Sequence, residues 1–229
     1  VVKLIAENYR PFGQTGLLVP PIVFGTKALG NATQSIPQKT KTEICCEWFK
    51  HVPTPVVVDT TDLDCTKSAF STIAATLHRL EITANEIIVI HRLRFPCSSY
   101  EDALNSPTIL ERCEGVSRLL GNKSLPQFVA IDCPDEYLSR AKSLAVRDSR
   151  FQEVLDVYRV LINWKAQGRM IGVGAASANW RILQEIDSQV PLDWVMLLGC
   201  LTILSHPTEL LDFMHNLSQR QIAIISTNV

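Results

Sequence analysis

Val56-Val57-Val58-Asp59-Thr60 is a run of three β-branched apolar residues closed by a carboxylate, and its reading decides the fold. Such a run shows no polar residue to water on either face, so it is a strand buried on both sides, and the polar residues that end it mark where the chain leaves the core. Six further runs share this character, at 22–26, 87–93, 128–132, 170–175, 194–200 and 222–226. Between and after them, 39–51, 67–80, 108–120, 150–167, 180–188 and 208–219 carry apolar residues at helical spacing. Strand followed by helix, repeated in one sense, gives parallel strands joined by right-handed crossovers. Seven such units favour an α/β fold of the (β/α)8 TIM-barrel type, incomplete at about seven strands, over an open doubly wound sheet. An open sheet that binds a dinucleotide would carry Gly-x-Gly-x-x-Gly straight after its first strand, whereas this one ends Phe24-Gly25-Thr26-Lys27. The later Gly172-Val-Gly174-Ala-Ala-Ser177 lies within the fifth strand. Ahead of the barrel, apolar stretches in 4–19 flank Arg10-Pro-Phe-Gly-Gln-Thr-Gly16, a turn that predicts an N-terminal β-hairpin.

The chain has 229 residues, 46% of them hydrophobic and 20% charged, which suits a single domain over 1–229 with one large core. Its formal net charge of −1 and scattered Lys and Arg give no field to attract a polyanion, so nucleic acid is not an expected partner. No apolar run is long enough to span a bilayer, and a membrane role is not expected either. The seven cysteines form an odd set without a CxxC pair or a zinc-like spacing, which predicts reduced thiols and a cytoplasmic protein.

In (β/α) barrels the functional residues stand at the carboxyl ends of the strands. That rule selects Thr26, Asp59, Asp64, Cys65, His91, Arg92, Asp132, Cys133, Ser177, Asn179, Gly199 and Cys200 as rim candidates. Among them one cation, Arg92, faces three carboxylates, Asp59, Asp64 and Asp132. An Arg92-centred ion cluster is the reading we expect. A hard divalent cation on the carboxylates would have to tolerate a guanidinium beside it. The rim cysteines lack a helix terminus or a placed histidine to stabilise a thiolate, so inert thiols are expected.

Gly16-Leu-Leu-Val-Pro-Pro-Ile-Val-Phe-Gly-Thr26, Val56-Val-Val-Asp-Thr60, Trp164-Lys-Ala-Gln-Gly-Arg-Met-Ile-Gly-Val-Gly174 and Pro191-Leu-Asp-Trp-Val195 together resemble the aldo-keto reductase superfamily. Pro134-Asp-Glu-Tyr-Leu138 and His206-Pro-Thr-Glu-Leu-Leu-Asp-Phe213 bring the resemblance closest to its branch of sugar 1-dehydrogenases such as D-threo-aldose (L-fucose) dehydrogenase. The resemblance implies an oxidoreductase using NADP(H) or NAD(H), with a tetrad of Asp, Tyr, Lys and His and the tyrosine as general acid. Carried across, the Asp falls on Asp59, the Tyr on Asp64, the Lys on Arg92 and the His on Asp132, so only Asp59 matches. It also makes Gly25, Thr26, Ser177, Asn179 and Gly199 weak candidates for contacting the cofactor.

The substitutions oppose the chemistry. A phenol with a pKa of about 10 can still donate a proton at neutral pH, whereas an aspartate with a reference value of about 4 is ionised there. An arginine relays protons poorly. A carboxylate at position 132 puts negative charge where a neutral donor would stabilise a developing oxyanion. The sequence also stops in what resembles the seventh strand, short of the strand and loop in which the family holds the cofactor phosphates. The expectation is therefore an aldo-keto reductase-like pseudoenzyme that acts by binding, with no cofactor. A homodimer or another partner would cover the open barrel edge. The alternative is an NAD(P)-dependent oxidoreductase of sugars or other carbonyl and alcohol substrates.

Overall fold

The computed structural model describes residues 8–31, 34–61, 67–95, 104–121 and 125–227. A short antiparallel hairpin, β1 (Arg10–Pro11) with β2 (Leu18–Val19), precedes seven parallel strands: β3 (Val23–Gly25), β4 (Val56–Thr61), β5 (Ile87–Arg94), β6 (Phe128–Asp132), β7 (Gly172–Ser177), β8 (Trp194–Leu198) and β9 (Ala223–Thr227). The strands lie in chain order, each hydrogen-bonded to the next, and curl into a nearly closed barrel. The helices are α1 (Gln38–His51), α2 (Lys67–Arg79), α3 (Ser106–Leu119), α4 (Pro134–Ser139), α5 (Leu144–Ala166), α6 (Trp180–Asp187) and α7 (Thr208–Gln219). Among the described residues no helix is long and apolar enough to cross a membrane.

The alternation of side chains along a strand divides the core in two. Val57, Ile88, Ile90, Phe128, Ala130, Ala176, Trp194 and Met196 point inward and are joined by Phe12 and Val19 of the hairpin. Val56, Val58 and Val89 point outward against Trp48 of α1 and Phe70 and Ile73 of α2, while Val129, Ile131, Val173 and Val195 face α5, α6 and α7. Both faces are covered, which is why these strands read as unbroken apolar runs.

The hairpin closes the amino end of the barrel. Its Phe12 ring sits 4.5 Å from that of Phe128 and 6.1 Å from that of Trp194. Trp194 fits because Gly174 opposite it has no side chain: a Cβ there would lie 2.6 Å from the indole Nε1. Gly13 is needed for a different reason. It turns the hairpin at φ +59, and a Cβ would come within 2.6 Å of the Asp193 carbonyl. Asp193 itself is buried, takes the Lys165 ammonium at 2.5 Å and accepts the Val173 N–H at 2.8 Å, tying α5, β7 and β8 together at that end.

The sequence expectation of an incomplete TIM-type barrel with an N-terminal hairpin matches this architecture. Most boundaries shift by one or two residues, and three departures are larger. The hairpin strands cover only Arg10–Pro11 and Leu18–Val19, with residues 4–7 outside the described set. α5 begins at Leu144, where the Ser143 side chain caps Val146 N–H, six residues before the apolar periodicity begins. α4 was not foreseen at all. Among the described residues β3 pairs only with β4 and β9 only with β8, so the barrel remains open between those two strands.

Candidate functional site

Two-residue periodicity sends Asp59 of β4, Arg92 of β5 and Asp132 of β6 to the inside of the barrel at its carboxyl end. The register pairs Thr61 with Arg92 and Arg94 with Asp132, which staggers the three side chains so that the arginine lies between the carboxylates. Arg92 Nε donates to Asp59 Oδ1 at 2.8 Å and Nη2 to Asp59 Oδ2 at 3.0 Å, a two-pronged fork. Its remaining arm, Nη1, donates to Asp132. Arg94 reaches Asp132 at 3.8 Å with one arm and donates to Glu136 of α4 with the other. The result is a ladder of alternating charge, Asp59, Arg92, Asp132, Arg94, Glu136, across the mouth.

Asp59 and Asp132 are almost wholly removed from solvent, at 8% and 4% exposure. Burial pushes the Asp59 carboxyl above the usual carboxylate range against the pull of Arg92, and the charge of Asp132 pushes the same way as burial. Burial would lower the Arg92 guanidinium, but the two carboxylates outweigh it and hold the group above its already high ordinary value. Arg92 is thus a fixed cation with all three arms engaged. It can offset one of the two carboxylate charges but cannot pass a proton.

The other candidates divide clearly. Asp64 and Cys65 lie outside the described residues. Thr26 is buried beside the cluster, with its N–H and its hydroxyl both donating to the Asp59 carbonyl at 3.1 Å. Gly25 borders a cleft between β3 and β9 that also reaches Asp59. Ser177 donates to Asp135 and accepts the Asn179 N–H at 2.9 Å, while Asn179 Oδ1 caps α6 by accepting from Arg181 N–H at 3.2 Å. Gly199, at φ +70, donates its N–H to the carbonyls of Leu197 and Thr227 at 3.2 and 3.0 Å. His91 points to the opposite face of β5 from Arg92, its Nδ1 3.0 Å from Thr60 Oγ1. Cys133 caps α4 in the left-handed region at φ 46, and burial, reinforced by Asp132, pushes its thiol up to about 12. Cys200 is raised by burial as well. Among the described residues no group of three His, Cys, Asp or Glu is disposed to hold a metal ion.

Sequence reasoning missed Arg94 and Glu136. Arg94 could have been found, since it follows Arg92 by two residues and so shares its face. Glu136 could not, because its helix was not foreseen.

These features define a parallel (β/α) barrel, floored by a hairpin and with an ion-paired mouth. No family model matches the chain, and no curated protein matches it by sequence. Solved structures do. A putative aldo-keto reductase from Pseudomonas aeruginosa superposes with a TM-score of 0.67 at 14% identity, over 98% of this chain and 79% of that one. An aldo-keto reductase from Bacillus halodurans, in its holo form, gives 0.69 at 13% over 96% and 65%. A Bombyx mori aldo-keto reductase in complex with NADP gives 0.64 at 13% over 100% and 67%. The chain therefore has the aldo-keto reductase fold, and spans between 65% and 79% of the length of these three structures.

Proposed function

We propose that this protein descends from aldo-keto reductases, from the sugar 1-dehydrogenase side of that superfamily, and has exchanged reductase chemistry for a binding role in the cytoplasm. The observation that carries the reading is the state of Arg92. A carbonyl reductase needs a proton donor and an oxyanion donor at its mouth; the position carried across from the proton donor, Asp64, lies outside the described residues, and the other three groups are spent on one another. Asp59 is held by two arms of the guanidinium and Asp132 by the third. A hydride arriving at a bound carbonyl would build negative charge beside Asp132, a buried carboxylate, with no free cation or neutral donor among the described members of the ladder. Loss of a general acid costs about 10²- to 10⁴-fold in rate, and loss of an oxyanion donor about 10²- to 10³-fold. The free cysteines of the described set, Cys45, Cys46, Cys113, Cys133 and Cys200, fit a reducing compartment.

The competing reading, an NAD(P)-dependent oxidoreductase, draws on the Bombyx mori neighbour, whose structure contains NADP. One titration separates the two. NADPH and NADH are added to the protein while tryptophan fluorescence and the melting temperature are followed, and a panel of aldoses and simple aldehydes is then offered with the nucleotide. The binding reading expects neither saturation nor turnover up to about 1 mM nucleotide, a ceiling of roughly −4 kcal/mol. Saturation near micromolar with carbonyl-dependent NADPH oxidation overturns it.

A further inference from the structure

We infer that a cleft on the outer wall of the barrel, between the carboxyl-terminal ends of α2 and α3, binds one small, neutral, flat apolar molecule. The molecule carries a hydroxyl or another hydrogen-bond acceptor at its outer end. The site goes beyond the binding role proposed above, since none of the ladder residues at the mouth lines it.

The way the two helices stop makes the space. α2 ends in a left-handed turn at Glu81, φ 55, where Glu81 N–H donates to the His78 carbonyl and Ile82 N–H to that of Leu77. α3 also ends on a left-handed residue, Gly121 at φ +68, whose N–H donates to the Arg118 carbonyl. Both turns satisfy carbonyls of their own helix, so side chains and not bare backbone face the gap between them. The side chains set there are small: Ala74 of α2 and Ala84 of the single turn Ala84–Glu86, while a Cβ on Gly121 would meet nothing within 4 Å. What remains is a cleft of about 410 Å³.

Its floor is the outward face of β5, where Ile87 and Val89 are buried together with Leu77 and Leu120 at the sides. The ladder from β5 to β6 starts only at Ile90 opposite Phe128. Just before it the Gln127 side chain stands in for the missing strand, accepting the Val89 N–H at 2.8 Å. The backbone beneath the cleft is thus satisfied, and the floor offers an occupant only apolar groups. Such a floor draws in apolar surface and rejects charge, which would lose its water without gaining a counter-charge. Polar groups stand at the rim. The Thr83 hydroxyl already donates to Glu86 at 2.7 Å. The exposed His78 imidazole has no hydrogen-bond partner among the described residues, so its ring N–H is available to an acceptor on the outer end of an occupant. A dry apolar cavity of about 150 Å³ takes one benzene, so by that measure this cleft has room for about two or three fused rings.

The test titrates the protein with 2-naphthol by calorimetry, with phenol as a smaller probe. One site per chain is expected, with a Kd of about 10–100 μM for 2-naphthol. Phenol should bind about tenfold more weakly or worse, because it buries about four fewer carbons. Ala74→Leu and Ala84→Leu fill the cleft from two different elements and should abolish binding. Ala84 is exposed, so its variant keeps the test decisive should Ala74→Leu fail to fold. His78→Ala should weaken 2-naphthol about threefold and leave the melting temperature unchanged. Absence of saturation at about 1 mM 2-naphthol, or binding that survives in folded Ala84→Leu protein, overturns the inference. Nucleotide titration reads the mouth and not this wall, so the two readings fail separately.

Discussion

Replacing Arg92 by methionine keeps most of the side-chain length and removes the charge, leaving Asp59 and Asp132 facing each other, both nearly inaccessible to water. Removing one partner of a buried ion pair costs about 3–5 kcal/mol, because the remaining charge is neither solvated nor paired. At a urea slope of about 3 kcal/mol per M this is a midpoint shift of roughly 1–2 M. The loss depends on pH, and its sign follows from linkage. Burial already raises the Asp59 carboxyl and Arg92 opposes that rise, so removing Arg92 lets it climb further. A carboxyl whose folded value lies above its unfolded value holds more protons folded than unfolded between the two. The stability it contributes is present below the unfolded value, 3.8, and is lost as pH rises through the folded one. Urea denaturation of the Arg92→Met protein should therefore show a larger deficit against the parent at pH 8 than at pH 5. Adding Asp59→Asn and Asp132→Asn should restore most of the loss, since the orphaned charges are gone. A deficit under about 1 kcal/mol, or one equal at both pH values, would refute the reasoning that Arg92 is what makes the two carboxylates tolerable.

Two further outcomes are expected. Gly174→Ala drives a methyl into the Trp194 indole, 2.6 Å from its Nε1, and should cost about 1–3 kcal/mol by chemical denaturation; an unchanged midpoint would mean that the barrel floor is loosely packed. Cys133, with its thiol pushed from 9.0 to about 12, should alkylate about 30-fold more slowly than an ordinary thiol at pH 8. The roughly thousandfold fall in thiolate is offset in part by the greater nucleophilicity of a more basic sulfur. Peptide mapping after timed iodoacetamide treatment reads this directly, and labelling at the ordinary rate would restore a reactive thiol at the mouth.

How much of this was legible from the residues depended on where water was excluded. The strands β4 to β8 could be read because both faces of each are covered, so Val56–Val58 or Phe128–Ile131 contain no polar residue to obscure the signal, and the half-buried β3 and β9 were legible from their Val and Ile content. The start of α5 could not be. Residues 144–150 add no buried face, Leu144 being 79% exposed, so the helical period becomes visible only from Phe151. The strand end at Leu198 was overrun for a related reason: Gly199 and Cys200 continue the apolar composition, and only a backbone turned to φ +70 stops the strand. At the site, chain order and alternation were enough to bring Asp59, Arg92 and Asp132 together. The link from Arg94 to Glu136 depends on α4, six residues that start on a proline after a left-handed cysteine and are too few to show a period.

The same geometry explains why an acidic residue at position 132 can be accommodated at all. A lysine, which the family resemblance implies at position 92, offers one compact charge that would have to be divided between two carboxylates. Arginine offers a planar fork: here Nε and Nη2 occupy both oxygens of Asp59, and Nη1 remains for Asp132. The two departures from the family pattern are therefore complementary. Aspartate in place of histidine would leave a buried carboxylate without a fork arm to hold it beside a lysine, and arginine in place of lysine would leave an arm unpaired beside a histidine. Together they form an ion-paired lattice that Arg94 and Glu136 extend toward the rim. What stabilises that lattice also occupies it, since among the described residues every arm of Arg92 already holds a carboxylate. The strand ends thus keep their architectural part in the barrel while the groups on them are turned toward one another.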